Sequence, residues 1–293
     1  MSRKSWIQFG IVGVLWGIPY LLMKVAVADI PPALIVAGRT LIGATILIPI
    51  AIHKKTFIDA LRGIKYVLPY AFLEMVGPWI LITSAEKEIS SGLAGLLVAT
   101  VPIFATIFTS MRGDHSVWQP KRIFGLVVGF IGIIALVGIE SITGNSNPQA
   151  IAMVILASIL YAYAVLMVTS NLPGVDGVAI NGLAMAITAL FYMPIAIAVW
   201  PSNPVSVNAI ASLIALGVFS TAIAFMLFFI IIAEIGPARG SLTTYVNTAV
   251  AVILGIIILN EPITLGIIVG LPLVLLGSYL ASRKSKLVVI AEA

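Results

Sequence analysis

The sequence predicts an all-α polytopic membrane protein in which ten transmembrane helices form two inverted five-helix repeats. Three observations predict it: ten long apolar stretches, a charged fraction of 9% against roughly 25% in soluble domains, and a match between the two halves. A hydrocarbon core of roughly 30 Å takes about 20 residues of helix to cross. Ten such spans use nearly all of the 293 residues and leave no room for a soluble domain. Membrane strands are excluded, since these runs exceed strand lengths and do not alternate polar with apolar.

The first half, residues 1–145, opens on Arg3 and Lys4 before the run Trp6 to Ala28. A secretory leader has similar flanks, with Ala26-Val27-Ala28 as its cleavage site. This run is too long for one, carries Lys24, and is matched in the second half. The second span, Pro32 to Ile52, follows Pro31 and contains Arg39. The third, Tyr66 to Ser84, contains Glu74 and then Pro78-Trp79, where proline's missing N–H frees a carbonyl and bends the helix. Gly92 to Met111 and Ile123 to Ile139 complete this half, the latter carrying Gly125, Gly129 and Gly132.

The second half, residues 146–293, begins with Gln149 to Thr169, which holds Tyr161 and Tyr163. Gly177 to Trp200 and Val207 to Ala233 follow. In Gly240 to Leu259, Ser241, Thr244, Tyr245 and Thr248 share one helical stripe, with Asn247 close by. The last span, Ile263 to Ser282, carries Gly266, Gly270 and Gly277. Small residues at such spacing let helices approach closely, either within the chain or between protomers of a homodimer. They are not a phosphate loop, because no strand or lysine-serine pair accompanies them.

The halves match in order. Pro49-Ile50-Ala51-Ile52 recurs as Pro194-Ile195-Ala196-Ile197, an offset of 194 − 49 = 145. Ala85-Glu86 and Gly92 recur as Ala233-Glu234 and Gly240, an offset of 233 − 85 = 148. Gly125-Leu126 with Gly132 recurs as Gly270-Leu271 with Gly277, and Leu15-Trp16-Gly17 aligns with Leu160-Tyr161-Ala162. Five crossings bring the chain out on the opposite side, so the second copy inserts upside down. Repeats of this kind place a shared site near the membrane midplane and expose it alternately to each side.

Charge placement gives the orientation. With the N-terminus inside, cytoplasmic segments hold Arg3, Lys4, Lys54, Lys55, Arg62, Lys65, Arg112, Lys121, Arg122, Arg239, Arg283, Lys284 and Lys286, and the outer loops hold Lys87. This bias is the positive-inside rule. It accounts for the net charge of +5 without nucleic acid, and puts both termini in the cytoplasm of an inner-membrane protein. The chain has no cysteine, so thiol chemistry and disulfides are excluded.

Three ionisable residues lie inside spans: Lys24, Arg39 and Glu74. A central charge costs about 2.5–3.5 kcal/mol on insertion scales and therefore faces the bundle interior or a wet cavity. Lys24 either snorkels or joins Trp16 and Tyr20 as a cavity wall, these three lying on one helix face. Arg39 either pairs with Glu74 or, with Lys24, holds an anionic or zwitterionic metabolite, since a guanidinium binds a carboxylate in two places. Glu74 is then the proton-coupling group where burial, which raises a carboxylate's pKa, outweighs an adjacent arginine, which lowers it. Trp79, Tyr161, Tyr163, Thr244, Tyr245 and Asn247 add polar and aromatic surface for a small-molecule substrate.

Leu15-Trp16-Gly17, Lys24, Pro31-Pro32, Arg39, Ala85-Glu86 and Val101-Pro102 resemble the EamA type of the drug/metabolite transporter superfamily. So do Ala233-Glu234-Ile235-Gly236-Pro237 and Asn260-Glu261-Pro262 in the second half. The resemblance covers essentially the whole chain. It implies an inner-membrane carrier of two inverted five-helix halves, commonly exporting amino acids or related metabolites. Two departures limit it: Asp114 takes the place of Glu261 in the first half, and Glu74 stands where many relatives have a small residue.

The expected function is a secondary transporter moving such metabolites outward by alternating access, with no cofactor and no nucleotide-binding domain. A proton-coupled multidrug exporter is the alternative, opposed by the positive charges Lys24 and Arg39. An intramembrane enzyme is disfavoured, because Asp29, Asp59, Asp114, Asp176, His53 and His115 all fall in loops, away from any catalytic pairing.

Overall fold

A computed structural model of the protein describes residues 3–113, 119–142, 147–235 and 243–282. Among these residues all regular structure is helical. The helices are α1, Arg3–Ala26; α2, Pro32–His53; α3, Phe57–Arg62; α4, Ile64–Ala85; α5, Ser91–Met111; α6, Pro120–Ile142; α7, Pro148–Asn171; and α8, Gly177–Ala198. Then come α9, Val207–Ile231, with its last turn reaching Ile235; α10, Thr243–Leu259; and α11, Leu265–Ser282.

Each stretch expected to span the membrane is largely helical over its described residues. Seven of the helices, α1, α2, α4, α5, α7, α8 and α9, are long and apolar enough to cross a membrane, and α10 and the segment Leu265–Leu280 are shorter apolar helices. The chain is a multi-pass membrane protein. Its outer surface is apolar, with Leu190 74% and Ile257 71% exposed, while Thr40, Thr83, Ser158, Thr188, Thr221 and Thr248 are wholly buried. Lipid replaces water around such a bundle, and polar side chains take the interior.

Helix pairing repeats when the halves are exchanged. α1 packs on α9 and α10, as α7 packs on α4 and α5; α2 also meets α9, as α8 meets α4. The remaining major contacts join equivalent helices: α2 with α8, α5 with α10, and α6 with α11. Each such pair runs antiparallel. Along α2 and α8, Gly43 faces Met185, Leu47 faces Gly182, and Lys54 approaches Asp176 at 3.8 Å. Gly95 faces Ala251 while Ser91 faces Gly255, and Gly129 faces Gly277 while Leu136 faces Gly270. Numbers rise on one helix as they fall on the other.

Gly129 and Gly132 of α6 and Gly270 and Gly277 of α11 are spent on this contact. A Cβ on Gly277 would collide with the Cα and amide nitrogen of Gly129, and one on Gly132 would stand 2.8 Å from the Val274 amide. The close approach of these four is within the chain.

Two features depart from the sequence reading besides the additional short helix α3. The fourth span is two segments, Ser91–Val98 and Val101–Met111, with turns at Ala99 and Thr100 between them. Pro102 explains the break, having no N–H for the Val98 carbonyl and a ring that crowds it. The hydroxyls of Ser158 and Thr100 donate to the Leu97 carbonyl, and Ser278 donates to that of Ala99 at 2.7 Å. Irregular backbone in a membrane interior requires such partners.

The bend at Pro78 takes the form of a π turn. Phe72–Val76 has π geometry, and the Gly77 N–H donates to the Phe72 carbonyl five residues back. The wider turn accommodates the proline. Its equivalent in the other half, α9, carries a π segment at Leu216–Ile223 without any proline.

Gly277→Ala is expected to lower the unfolding midpoint of the detergent-solubilised protein, by overpacking of about 1–3 kcal/mol. Gly138→Ala, whose methyl meets no atom within 4 Å, should not lower it. Thermal unfolding followed by circular dichroism checks the pair.

Candidate functional site

Arg39 sits on α2 where α1, α4 and α9 converge, and is 5% exposed. Its Nε and Nη2 donate to the Thr221 Oγ1 at 3.3 and 3.1 Å, and its Nη1 lies 3.6 Å from the Met23 Sδ. The guanidinium carbon stands 3.8 Å from the centre of the Trp79 ring. A cation over an indole face is attracted by the ring quadrupole, more strongly when desolvated. Among the described residues no carboxylate lies within ion-pair distance of Arg39. The Arg39–Glu74 pair considered from sequence is therefore not formed.

Glu74 lies on the π segment of α4, with its Oε2 buried and unpartnered. It is within electrostatic reach of Tyr70 and Tyr161. Tyr161 is within electrostatic reach of both Glu74 and Arg39. Tyr70 donates to the Asn181 Oδ1 at 3.1 Å, and Tyr192 donates to the Val76 carbonyl at 2.7 Å. These bonds fix the π turn from the side of α8.

Tyr20, on α1, completes the cluster. It is buried against Gly95 and lies within reach of Arg39, Glu86 and Tyr161. Lys24 stands one turn further along. Its ammonium donates to the carbonyls of Glu86 and Ile89, the latter at 2.7 Å. A cation on helix-end carbonyls is favourable, and here it ties α1 to the end of α4 rather than presenting a free charge.

The other expected residues have neighbours of their own. Trp16 packs on Phe228 and Phe225, with ring centres 4.4 and 5.6 Å away. Tyr163 is 40% exposed, edge-on to Phe108, with Arg112 over its ring. Thr169 is exposed and bonds its own helix. On α10, Tyr245 meets Tyr279 on α11, and the Thr244 carbonyl accepts from Thr248. Asn247 is buried and its Oδ1 also accepts from Thr248. Ser241, Gly240, Asp114 and His115 lie outside the described residues.

Three participants were not singled out as site residues by the sequence: Met23, Thr221 and Glu86. Glu86 is wholly buried, with neither carboxylate oxygen hydrogen-bonded. Burial pushes its carboxyl well above the usual carboxylate range; Lys24 opposes, Glu261 adds to the shift, and Arg39 opposes. Glu261 itself is bonded, accepting from the Ser91 and Gly92 N–H at 2.7 and 3.1 Å. It caps the first turn of α5, an end that favours negative charge.

Chemically, the cluster offers a fixed cation on an aromatic plate, phenol hydroxyls, and a half-buried carboxyl at a π turn. Thr221→Val should cost about 1–3 kcal/mol by leaving two guanidinium N–H groups unpartnered. Thr221→Ser should retain most of the stability. Unfolding midpoints of the two variants in the same detergent check this.

Several known proteins resemble the chain along most of its length. Over 281 residues the chain is 25% identical to an uncharacterized transporter of Archaeoglobus fulgidus, covering 96% of this chain and 99% of that protein. It is 27% identical to the uncharacterized transporter YoaV of Bacillus subtilis, covering 94% and 96%. Identity to the uncharacterized inner membrane transporter YedA of Escherichia coli is also 27%, covering 92% and 90%. A crystal structure superposes with a TM-score of 0.65 at 18% identity, over 96% of this chain and 98% of the other, which shows a shared fold. The EamA-like transporter family model matches twice, at residues 4–138 and 148–283, and the chain belongs to that family.

Proposed function

We propose that the protein is a secondary carrier that exports small carboxylate-bearing metabolites, amino acids or their relatives, across the inner membrane by alternating access. The observation that carries this reading is the Arg39 guanidinium, desolvated on Trp79 and matched by a threonine and a thioether instead of an acid. A cation so placed gains most from a ligand that brings its own carboxylate. It also repels organic cations, which disfavours the multidrug alternative.

Inversion of the halves supplies the means of alternation. The antiparallel contacts of α2 with α8, α5 with α10 and α6 with α11 support two oppositely oriented five-helix repeats. Ten crossings with both termini in the cytoplasm fit the distribution of basic residues. Glu74 is the group through which a proton gradient acts, and Tyr20, Trp79 and Tyr161 shape the cavity around the cargo.

The test is accumulation of radiolabelled amino acids in inside-out vesicles with and without a proton gradient. Accumulation is expected with the gradient, and none across a broad panel would sink the proposal. Arg39→Gln should weaken binding of the active carboxylate substrate about 10–100-fold, the equivalent of one lost charge-assisted hydrogen-bond set. Glu74→Gln should preserve substrate exchange while abolishing gradient-driven accumulation. Thermal shift with substrate and vesicle counterflow read these two effects separately.

A further inference from the structure

The repeat places the same dipeptide, Ala85-Glu86 and Ala233-Glu234, at the ends of equivalent helices α4 and α9. Their surroundings differ. Glu86 is wholly buried with both oxygens unpartnered, whereas Glu234 is exposed. Matching sequence in unlike environments is what a two-state inverted-repeat carrier shows at any instant, because each half adopts the other's arrangement in the opposite state.

The end of the bundle around Glu86 is sealed by bonds that cross elements. Glu261 caps Ser91 and Gly92 from the other half, and Lys24 from α1 holds the Glu86 and Ile89 carbonyls. Asp29 in the α1–α2 turn accepts from the Ser206 N–H at the start of α9. The charged and titratable groups around the Glu86 carboxyl are Lys24 and Tyr20 on α1, Arg39 on α2 and Glu261 after α10. Two are cations, yet neither forms an ion pair with Glu86.

We propose that Glu86 is a second proton-binding carboxyl of the carrier, neutral in the sealed state and ionised when that end opens. Ionisation breaks the carboxyl O–H bond and passes the proton to water at the opened end. The carboxylate then draws the Lys24 ammonium off the helix-end carbonyls, which releases α1 from the end of α4. Proton binding therefore favours the sealed state and proton release the open one. Glu74, lying 86 − 74 = 12 residues earlier on the same helix, or roughly 18 Å at 1.5 Å per residue, is a separate site. The inference rests on the alternating-access reading but is tested without any substrate.

Because the chain has no cysteine, Ser91→Cys gives a single reporter at a wholly buried position behind Glu261. Its rate of maleimide labelling in detergent, divided by the rate in denatured protein at the same pH, measures opening. As the pH is raised the normalised rate should rise at least about fivefold, since release of the proton from the buried carboxyl favours the open end. Adding Glu86→Gln should hold labelling at its low-pH value, while adding Glu74→Gln should leave the rise in place. Lys24→Met should move the rise to higher pH, because the carboxylate loses its counter-ion. An unchanged rise with Glu86→Gln, no rise in the parent reporter, or an unmoved profile with Lys24→Met would each overturn the proposal. The carrier reading stands or falls on vesicle accumulation instead, so the two failures are distinguishable.

Discussion

A guanidinium enclosed by helices has lost its water, and everything near Arg39 is arranged around that loss. Thr221 supplies an oxygen, Trp79 a negative ring face and Met23 a polarisable sulfur. None supplies a full negative charge. Replacing hydration by such partners leaves the cation tolerated but undercompensated, and the deficit is largest in a low dielectric. On the proposed function a carboxylate ligand makes up the difference, and the deficit becomes binding energy.

Holding that cation in place requires helices from both halves. Arg39 comes from α2, Met23 from α1, Trp79 from α4 and Thr221 from α9. They meet because small residues let α1 approach α10 at Gly13 and Gly17, and let α2 approach α8 at Gly43 and Gly182. In a bilayer, apolar contact alone gives little net drive for helix association, and close packing with satisfied polar groups takes over. Several buried hydroxyls follow the same rule: Thr40 and Thr188 bond their own helices, and Ser278 bonds a carbonyl exposed by a break.

Much of this was legible in the sequence. Long apolar runs located the helices, since a run as long as a bilayer is thick suits a spanning helix and little else, and costly membrane charges picked out Arg39 and Glu74. Spacing along one helix was less informative. Trp16, Tyr20 and Lys24 share a stripe, yet they meet an aromatic cluster, the arginine site and a helix end respectively. Thr221 was invisible because its role is defined by a residue 182 positions away, and a lone threonine in an apolar run carries no signal. Glu86 was readable only as a repeat marker, its position at a helix end hiding the fact that other elements bury it.

The two π segments join the site to the motion. Each lies in the third helix of its half, Phe72–Val76 with Glu74 and Leu216–Ile223 with Thr221. A π turn has one residue too many for α-geometry, so it can be passed along a helix or absorbed at modest cost, and such turns concentrate at functional sites. Proline accounts for the first and nothing in the local sequence accounts for the second, which implies that position in the fold, rather than residue type, selects the distortion. A shift at Leu216–Ile223 moves the hydroxyl that holds Arg39, and a shift at Phe72–Val76 moves Glu74 relative to Tyr161. On the proposed function, cargo binding at the guanidinium and proton occupancy at the carboxyl act on these two equivalent segments of opposite halves.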